Sequence, residues 1–525
     1  MMISRRRFLT AAGALLAPSA WAALTPGSVK TVSIIHTTDL HGHILPARTY
    51  EGLTNVGGLA RCATVIKKWR AESPLHLVLD VGDLYQGTEA GLRTQGGLMV
   101  KTLNALRYDA WVLGNHDFDW GRDVVESAVA QAQMPVLASN VMFSGKAPGT
   151  HEKGSPFARL APFLLKEIGG FKIGVIGAVT PGLASWLAPQ ILREIEARDP
   201  LGPVRAAAAA LKSQGAQAII IAGHMGFRGP AFLRDDFANR VSELTKDVPD
   251  IDAFLGGHTH RDVPTARANR VPYSQANYYG IHLGRMDLTF HAETGQLLDV
   301  RPFTVLMDDR YELDPAVLSL AKNDLDLSEA ELKKPVGTVR ERLSAAAKPG
   351  APSQQEQLIG RAIQEALAER QVRVDGVLHG SFSDEDIAPG PKTIADIWEL
   401  MPYENFTVTA ALTREELIAI LNEAFSNERN SRNLLGFTVR LQGAPKNAAV
   451  SEVLDASGQP LAPGQRHVIA FNSYDAQSGG QRLPRLKEIL ATAEARTAFH
   501  PVETRQAVID FFLRHREIEA KIVAY

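Results

Sequence analysis

Five short polar segments of the chain combine Asp, His and Asn in a way that could hold metal ions. They are Asp39-Leu40-His41, Gly82-Asp83, Gly114-Asn115-His116-Asp117, Gly223-His224 and Gly257-His258-Thr259-His260. Imidazole and carboxylate donors together with an amide oxygen suit Zn, Mn, Fe or Co better than Ca. Two ions about 3.5–4 Å apart need a shared carboxylate, and Asp83 can supply one oxygen to each. The set therefore predicts a two-metal centre.

The first and last segments each carry two donors separated by one residue. We expect both segments to be extended, so that Asp39 with His41, and His258 with His260, point to the same side. A single segment of this kind is usually a turn or a helix cap. Five of them in one chain favour a shared site instead.

Nearly every short apolar run between residues 29 and 307 is followed by a polar segment that contains Gly with Asp, His or Asn. The runs are rich in Val, Ile and Leu, as strands covered on both faces should be. They are Val32–His36, Leu75–Val81, Ala110–Leu113, Phe171–Ala178, Ala218–Ala222 and Ile251–Leu255. Between them, Leu59, Cys62, Val65, Ile66 and Trp69 recur at helical spacing. This alternation predicts an α/β fold, in which ligands bind at the carboxyl ends of parallel strands.

The length of 525 residues predicts two domains and a connector. We expect the α/β domain at residues 29–307, a charged, helix-forming connector at 308–335, and a second domain at 336–525. In the second domain the periodicity predicts helices at Glu356–Ala368 and Arg414–Phe425.

The first 22 residues have the three parts of an export signal. Arg5-Arg6-Arg7 precede the apolar run Ala11 to Ala17, and Ala20-Trp21-Ala22 offers a small-residue cleavage site. The segment resembles a twin-arginine signal, which predicts a periplasmic or otherwise exported protein and the twin-arginine export machinery as a partner. The apolar run is shorter than a membrane-spanning helix requires, so stable membrane insertion is not expected.

The composition is that of an ordinary folded protein. Apolar residues make up 45%, charged residues 22%, and the formal net charge is −2, so no strong field favours nucleic acid as a partner. The single cysteine, Cys62, excludes an intramolecular disulfide and lies in a helical apolar pattern that predicts a core position.

The order of the five polar segments resembles that of the calcineurin-like metallophosphoesterase superfamily. The stretches at 38–43, 114–119 and 256–260 resemble, within it, the periplasmic 5′-nucleotidase and UDP-sugar hydrolase family. The resemblance implies a four-layer αββα sandwich followed by a smaller α/β 5′-nucleotidase C-terminal domain that binds the substrate. It also implies a hydrolase acting on phosphoric ester bonds.

Carried over residue by residue, the resemblance implies metal-binding or catalytic roles for nine side chains and leaves His43 and Asp117 as structural by default. Asp39, His41, Asp83 and His260 would hold one ion, and Asp83, Asn115, His224 and His258 the second. His116 paired with Asp119 would contact the phosphate and stabilise developing charge. The ions could be Mn, Zn, Co, Fe or Mg. The implied reaction is in-line attack on phosphorus by a water bridging the two ions, on a nucleotide or related small-molecule phosphate ester.

The second domain departs from the family pattern at two places. Leu378-His379-Gly380-Ser381-Phe382 stands where the family has Asn-x-Gly-Gly-x-Arg, and Gln481 stands where it has Asp. The acidic residues at 384–386 would repel a phosphate if they lined the pocket. Substrate-binding candidates are Phe437 and Phe499 for base stacking, with core packing as the alternative, and Arg482 or Arg432 for phosphate.

Two other functions remain open at this stage. One is that of the exported sulfur-oxidation proteins of the same superfamily, which resemble thiosulfate hydrolases and share the two-domain plan. The other is an exported binding protein on the same scaffold, against which the full metal set argues because a binder has no need of so many convergent donors.

Overall fold

The computed structural model describes residues 28–227, 236–426, 432–443 and 449–524. The predicted export signal at 1–22 lies outside the described residues. Within those ranges, no helix combines the length and the apolar character that crossing a bilayer requires.

Fifteen strands and seven α-helices precede the connector in the described ranges. The strands are β1 Val29–Thr37, β2 His76–Asp80, β3 Ala110–Val112, β4 Val136–Leu137, β5 Val141–Phe143, β6 Leu160–Ala161, β7 Phe163–Ile168, β8 Phe171–Val179, β9 Ile195–Ala197, β10 Ala218–His224, β11 Ala253–Gly256, β12 Asp262–Ala268, β13 Val271–Ala276, β14 His282–His291 and β15 Leu297–Leu306. The helices are α1 Leu59–Glu72, α2 Glu89–Arg93, α3 Gly97–Ala105, α4 Arg122–Gln131, α5 Pro189–Leu192, α6 Leu201–Ser213 and α7 Val241–Asp247.

The connector helix and the C-terminal elements follow. The helices are α8 Pro315–Leu332, α9 Gln354–Glu369, α10 Ile394–Leu400, α11 Arg414–Phe425, α12 Ser473–Ala476, α13 Pro484–Leu490, α14 Thr504–His515 and α15 Ala520–Val523. The strands are β16 Pro335–Val339, β17 Gly376–His379, β18 Gly390–Thr393, β19 Phe406–Leu412, β20 Asn433–Leu435, β21 Thr438–Gln442, β22 Ala449–Leu454, β23 His467–Asn472, β24 Ala498–Glu503 and β25 Glu517–Ile518.

Two sheets form the centre of the N-terminal domain. One has seven strands in the order β15-β14-β1-β2-β3-β4-β6, and the other has six in the order β12-β13-β11-β10-β8-β7. The run from β1 to β6 is parallel, as is the run from β8 through β10 and β11 to β13. The remaining strands of both sheets pair antiparallel at their margins. The carboxyl ends of the parallel strands thus form one edge in each sheet.

A dry core between the sheets joins them. Val32 and Ile34 of β1 belong to the same buried cluster as Val175 of β8 and Ile220 of β10. Separate clusters pack α1, α3 and α4 on the outer face of the first sheet and α6 and α7 on the outer face of the second. The αββα sandwich and the α/β fold class are therefore confirmed.

The six predicted apolar strands correspond to β1, β2, β3, β8, β10 and β11, each within three residues at either end. The helical pattern that includes Cys62 is α1, and Cys62 is fully buried. The sequence pattern did not reveal β14 and β15, a hairpin of two ten-residue strands that extends the first sheet.

The segment predicted as a connector contains α8. Its first turn is capped by Asp314, whose side chain accepts hydrogen bonds from the backbone N–H of Ala316 and Val317. Val317 and Ala321 are buried in the same cluster as α1 and α3. The connector is therefore packed on the N-terminal domain over part of its length.

The C-terminal domain is built around a five-stranded sheet in the order β20-β17-β23-β19-β24, with a three-stranded sheet β18-β16-β25 beside it. The predicted helices are confirmed as α9 and α11. Both begin with a capping box, Ser353 with Glu356 and Thr413 with Glu416, which satisfies two backbone N–H groups at each start.

The contact between the two central sheets can be tested at Gly177 of β8. A Cβ at this position would lie 2.2 Å from Leu137 Cβ on β4 of the other sheet. We expect Gly177→Ala to lower the free energy of unfolding of this domain by about 2 kcal/mol, because neither sheet can retreat without losing core contacts. The measurement is chemical denaturation followed by tryptophan fluorescence.

Gly202→Ala is the matched control for that substitution. Gly202 lies in α6, and a Cβ there would meet no heavy atom within 4 Å. Its stability should be unchanged or slightly raised because Ala favours the helix. Equal effects of the two substitutions would contradict the role assigned to the sheet contact.

Candidate active site

The predicted metal-binding side chains come from the carboxyl ends of strands in both sheets. Asp39, Asp83 and Asn115 follow β1, β2 and β3 of the first sheet. His224 is the last residue of β10, and His258 follows β11 in the second sheet. Because the two sheets pack face to face, these ends meet at one edge of the sandwich.

One group of donors is formed by Asp39, His41, Asp83 and His260. One potential ligand atom from each lies within 4.8 Å of all the others. His41 Nε2 is 2.9 Å from His260 Nε2 and 3.7 Å from Asp83 Oδ2, while His260 Nε2 is 3.4 Å from Asp39 Oδ1. Such a group can hold a cation.

A second group consists of Asp83, His224 and His258, again within 4.8 Å. His224 Nε2 lies 3.0 Å from Asp83 Oδ2. Asn115 extends the group, since its Oδ1 lies 2.7 Å from His258 Nδ1. Asp83 is common to both groups, which is the position that a bridging carboxylate requires.

Buried atoms in this cluster lack hydrogen-bond partners. Asp83 Oδ2 and His224 Nε2 lie 3.0 Å apart, but among the described residues neither makes a hydrogen bond of acceptable geometry, although Asp83 is 1% exposed and His224 is fully buried. An unsatisfied buried polar atom is costly, and a bound cation would satisfy both. This observation, together with the mixed carboxylate, imidazole and amide donors, fits two divalent transition-metal ions.

Hydrogen bonds to the opposite ring nitrogens orient the histidines. His41 Nδ1 donates to the Gln86 carbonyl at 2.8 Å, and His224 Nδ1 donates to the Val81 carbonyl at 2.7 Å. These bonds place the proton on Nδ1, so the lone pair of Nε2 faces the cluster. His260 is held in the same way, by a 3.1 Å hydrogen bond between Nδ1 and the Tyr50 hydroxyl.

The backbone at these residues is not extended. Five of the predicted ligands have φ between 46° and 74°, in the left-handed region: Asp39, His41, Asp83, His258 and His260. The expectation of extended segments at 39–41 and 258–260 is therefore wrong. Left-handed turns, rather than strand alternation, direct the paired donors, at a cost of about 1–2 kcal/mol per residue.

A glycine makes the close approach of two of these turns possible. A Cβ at Gly114 would lie 2.2 Å from both the backbone nitrogen and Oδ1 of Asp83. Gly114 N in turn donates to Asp117 Oδ2 at 2.8 Å, and the other oxygen of Asp117 accepts from Leu84 N. Asp117 therefore joins the loop after β2 to the loop after β3.

His116 and Asp119 lie beside the metal-binding groups, as a pair. His116 Nδ1 donates to Asp119 Oδ2 at 2.7 Å, and the backbone N–H of His116 donates to Asp83 Oδ1, also at 2.7 Å. Burial lowers the pKa of His116, but the carboxylates of Asp119 and Asp83 outweigh it and raise the pKa to about 10. Burial raises the pKa of Asp119 to about 6, opposed by the charge of His116. An imidazolium held in this way is a suitable donor to a phosphoryl oxygen.

His43 lies behind the first group of donors. Its ring stacks on Tyr279 with 3.8 Å between centroids, and its Nδ1 donates to the His41 carbonyl at 2.9 Å. Its position is that of a support for the turn at His41, and it does not belong to either group of potential ligands.

A cleft of about 550 Å³ opens from the metal-binding groups towards the C-terminal domain. The N-terminal domain contributes Asn115, His116, Asp119, Trp186, Leu187, Ala188, Ile191 and His258 to its wall, and the C-terminal domain contributes Ser381, Phe382, Asp384, Tyr403, Glu404, Asn405, Phe406, Arg432, Ser473, Tyr474 and Arg482. Its volume is that of a small-molecule site.

The two arginines predicted as phosphate contacts both line this cleft. Arg432 Nε donates to Asp475 Oδ2 at 2.7 Å, and Arg482 donates to the Gly479 carbonyl at 2.7 Å and to the Tyr474 hydroxyl at 2.5 Å. Each guanidinium is thus fixed at the wall rather than extended into solvent.

Phe437 and Phe499 are not among the residues that line the cleft. Both pack on a hydrophobic cluster of the C-terminal domain, where Phe437 meets the His467 ring at 5.6 Å and Phe499 meets Phe406 at 5.5 Å. The described positions match the core-packing alternative rather than base stacking. The aromatic side chains that do line the cleft are Trp186, Phe382, Tyr403, Phe406 and Tyr474.

Comparison with known families agrees with this architecture. The family model described as calcineurin-like phosphoesterase matches residues 32–262, and the model described as 5′-nucleotidase, C-terminal domain matches residues 335–488. Residues 32–262 therefore form a calcineurin-like phosphoesterase domain, and residues 335–488 form a 5′-nucleotidase C-terminal domain. Members of this phosphoesterase family use two divalent metal ions, and the two donor groups sharing Asp83 could hold them.

The individual curated relatives of this chain are distant. The trifunctional nucleotide phosphoesterase protein YfkN of Bacillus subtilis is 24% identical over 93% of this chain and 38% of its own length. The chain spans between 38% and 55% of the length of the first three curated relatives it matches.

Two solved structures show the same fold over almost the whole chain. The 5′-nucleotidase precursor from Thermus thermophilus superimposes with a TM-score of 0.70 at 22% identity, covering 93% of this chain and 97% of its own. The sulfate thiohydrolase SoxB of Thermus thermophilus superimposes with a TM-score of 0.63 at 17% identity, covering 93% and 94%. Because the chain resembles both structures over nearly its whole length, the comparison establishes the fold but does not identify a substrate.

Metal content tests the shared position of Asp83. We expect the wild-type protein to bind two divalent ions per chain, and Asp83→Asn to bind at most one, because a neutral amide cannot bridge two cations. The measurement is elemental analysis after gel filtration in Mn-containing buffer. Asp299→Asn is the control, since Asp299 lies on β15 and pairs with Arg301 outside both donor groups. Two ions retained by Asp83→Asn would refute the bridging role.

Proposed function

We propose that this protein is a metal-dependent phosphoesterase that hydrolyses nucleotides or related phosphate esters. The observation that carries the proposal is the position of the His116–Asp119 pair. It lies beside two donor groups sharing one carboxylate, in the wall of a cleft between the domains. A binding protein would need neither the pair nor the shared carboxylate.

Seven side chains would hold the metals. Asp39, His41, Asp83 and His260 would hold one ion, and Asp83, Asn115, His224 and His258 the other. Two divalent ions in such a site lower the pKa of water towards neutrality and neutralise charge on a phosphoryl group.

The remaining chemistry belongs to His116 and Asp119. His116 Nε2, opposite the nitrogen that donates to Asp119, is the N–H available to a phosphoryl oxygen or to the leaving oxygen. Asp119 keeps the ring protonated and fixed in orientation. Phosphoryl transfer needs little covalent chemistry from protein groups beyond positioning and charge stabilisation.

A nucleotide is the substrate class that the cleft and the relatives favour together. The cleft of about 550 Å³ can contain a nucleoside, and its aromatic side chains offer flat surfaces to a base. YfkN, which matches 93% of this chain, is named a nucleotide phosphoesterase. Residues 378–382 lack the arginine of the family pattern. Arg432 and Arg482, which line the cleft, are therefore the candidates for contact with the substrate phosphate.

Phosphate release tests the proposed activity. The panel is nucleoside monophosphates, UDP-sugars, cyclic nucleotides and p-nitrophenyl phosphate, with Mn-loaded wild-type protein. We expect His116→Ala to lower kcat by roughly 10²–10³-fold, because a charge-stabilising donor is lost, while two metal ions remain bound. Unchanged kcat in His116→Ala would refute the role of this side chain.

The sulfur branch is the second candidate, favoured by the missing family arginine at residues 378–382 and compatible with the SoxB fold likeness. It predicts sulfate release from a thiosulfonated carrier and no phosphate release from any ester of the panel. Phosphate release that Asp83→Ala abolishes would exclude both this candidate and a pure binding protein.

We also propose that the protein is exported through the twin-arginine route. The support is the order of Arg5-Arg6-Arg7, apolar run and small residues in the first 22 positions. A fusion of residues 1–30 to a reporter that is active only outside the cytoplasm should be exported. Replacing all three arginines by Lys should abolish export; export that persists would contradict the twin-arginine route.

A further inference from the structure

The loop at residues 401–405, between α10 and β19, reaches from the C-terminal domain to the reaction site. The Tyr403 ring stacks on the His116 ring, with 6.0 Å between centroids and 17° between planes. The next residue, Glu404, accepts a hydrogen bond at its Oε2 from Gln86 Nε2 at 2.8 Å. Two adjacent residues of one domain therefore contact two functional segments of the other.

Gln86 joins this contact to the metal-binding groups. It lies in the loop after β2, three residues beyond Asp83, and is 1% exposed. Its backbone carbonyl accepts the Nδ1–H of His41, the bond that directs His41 Nε2 towards the cluster. One residue thus holds His41 with its main chain and the C-terminal domain with its side chain.

Glu404 is equally fixed on its own side. Its side chain is 4% exposed and forms an ion pair with Arg505, which is 2% exposed. The Arg505 guanidinium lies 3.4 Å from the centroid of the Trp398 ring. A carboxylate held this rigidly away from water makes a strong, directional acceptor for the Gln86 amide.

Two other contacts between the domains lack this connection. Lys487 Nζ donates to the Ala184 carbonyl at 2.7 Å, and Gly480 N donates to the Ser185 carbonyl at 3.2 Å. Neither Lys487 nor Gly480 contacts a potential metal ligand through these bonds. They join the domains without touching the reaction site.

We propose that the Gln86–Glu404 hydrogen bond is an interdomain positioning contact that holds Tyr403 over His116 and so shapes the wall of the cleft beside His116. The proposal rests on the proposed function. Glu404 acts as a positioning residue, through Gln86 and through its neighbour Tyr403, and touches no reacting atom. The Phe382 ring, 5.8 Å from Tyr403, continues the same wall of the cleft.

A charge swap tests the contact in the full-length, Mn-loaded protein. Gln86→Glu places two carboxylates against each other and should separate the domains locally. The double variant Gln86→Glu with Glu404→Gln restores one amide donor and one carboxylate acceptor across the interface. Gln86→Ala, which removes the bond without adding charge, serves if Gln86→Glu does not fold. Lys487→Ala is the matched interdomain control.

Three properties are measured for each variant: kcat and KM for a nucleoside monophosphate, the radius of gyration from solution scattering, and the Mn content. We expect Gln86→Glu or Gln86→Ala to lower kcat/KM at least about tenfold with Mn retained, and to increase the radius of gyration. The swap should return kcat/KM to within about threefold of Glu404→Gln alone, the variant that measures the loss of the Arg505 ion pair, and the scattering to the profile of that variant. Lys487→Ala should leave kcat unchanged.

The contact is refuted if the Gln86 variants match wild type in kinetics and scattering, or if Gln86→Glu costs as much kcat/KM in the Glu404→Gln background as it does in the wild type. Failure of the proposed function is a separate result, because it is decided by the wild-type protein alone. If wild-type protein releases no phosphate, scattering of the single and swapped variants still decides whether this bond joins the domains.

Discussion

The position of Asp83 is the constraint on which the rest of the site depends. Its carboxylate belongs to both donor groups, accepts the backbone N–H of His116, and lies 3.0 Å from His224 Nε2. Neutral and charged donors from four separate loops must therefore reach one fully desolvated oxygen pair. That is possible only where the carboxyl ends of strands from two sheets meet, and only with no side chain at Gly114. The packing of the two sheets therefore fixes the position of the Asp83 carboxylate.

Holding it requires backbone strain that the rest of the domain must absorb. Five left-handed residues at about 1–2 kcal/mol each amount to about 5–10 kcal/mol, comparable with the whole stability of an ordinary domain. Two effects can offset this cost. The dry core between the sheets over-determines the position of each loop, and metal ions that bind only the folded state add their binding free energy to its stability. The same ions would satisfy Asp83 Oδ2 and His224 Nε2, which are otherwise buried without a hydrogen bond among the described residues.

The sequence predicted the fold and the identity of the site residues for different reasons. Buried parallel strands leave continuous Val and Ile runs, so β1, β2, β8 and β10 could be recognised from composition alone. The donors could be recognised from residue type and order. Their left-handed turns could not, because hydrophobic periodicity carries no information on φ at a strand end. The cleft wall was equally hidden: Tyr403 meets His116, and Gln86 meets Glu404, only after two domains dock, and no local pattern marks such a contact. Phe437 and Phe499 were proposed as aromatic candidates from one domain alone, whereas the cleft is built by both.

The acidic side chains around the cleft have a weaker electrostatic effect in the folded structure than their number in the sequence suggests. The acidic run at 384–386 suggested a wall that repels phosphate, but only Asp384 lines the cleft, and Asp386 is held by Arg342 at 3.2 Å. Of the other carboxylates at the wall, Glu404 is neutralised by Arg505 and Asp119 by His116. A phosphate near His116 therefore meets paired acids, an imidazolium and, further along the wall, the guanidinium groups of Arg432 and Arg482. Because an ion pair presents little net field to a third charge, Glu404 and Asp119 do not oppose a phosphate, and of the acidic run only Asp384 faces the cleft. Where the arginine of the family pattern is absent, the cleft wall instead presents the adjoining aromatic rings of Phe382 and Tyr403, so this part of the wall offers an apolar surface rather than a positive charge.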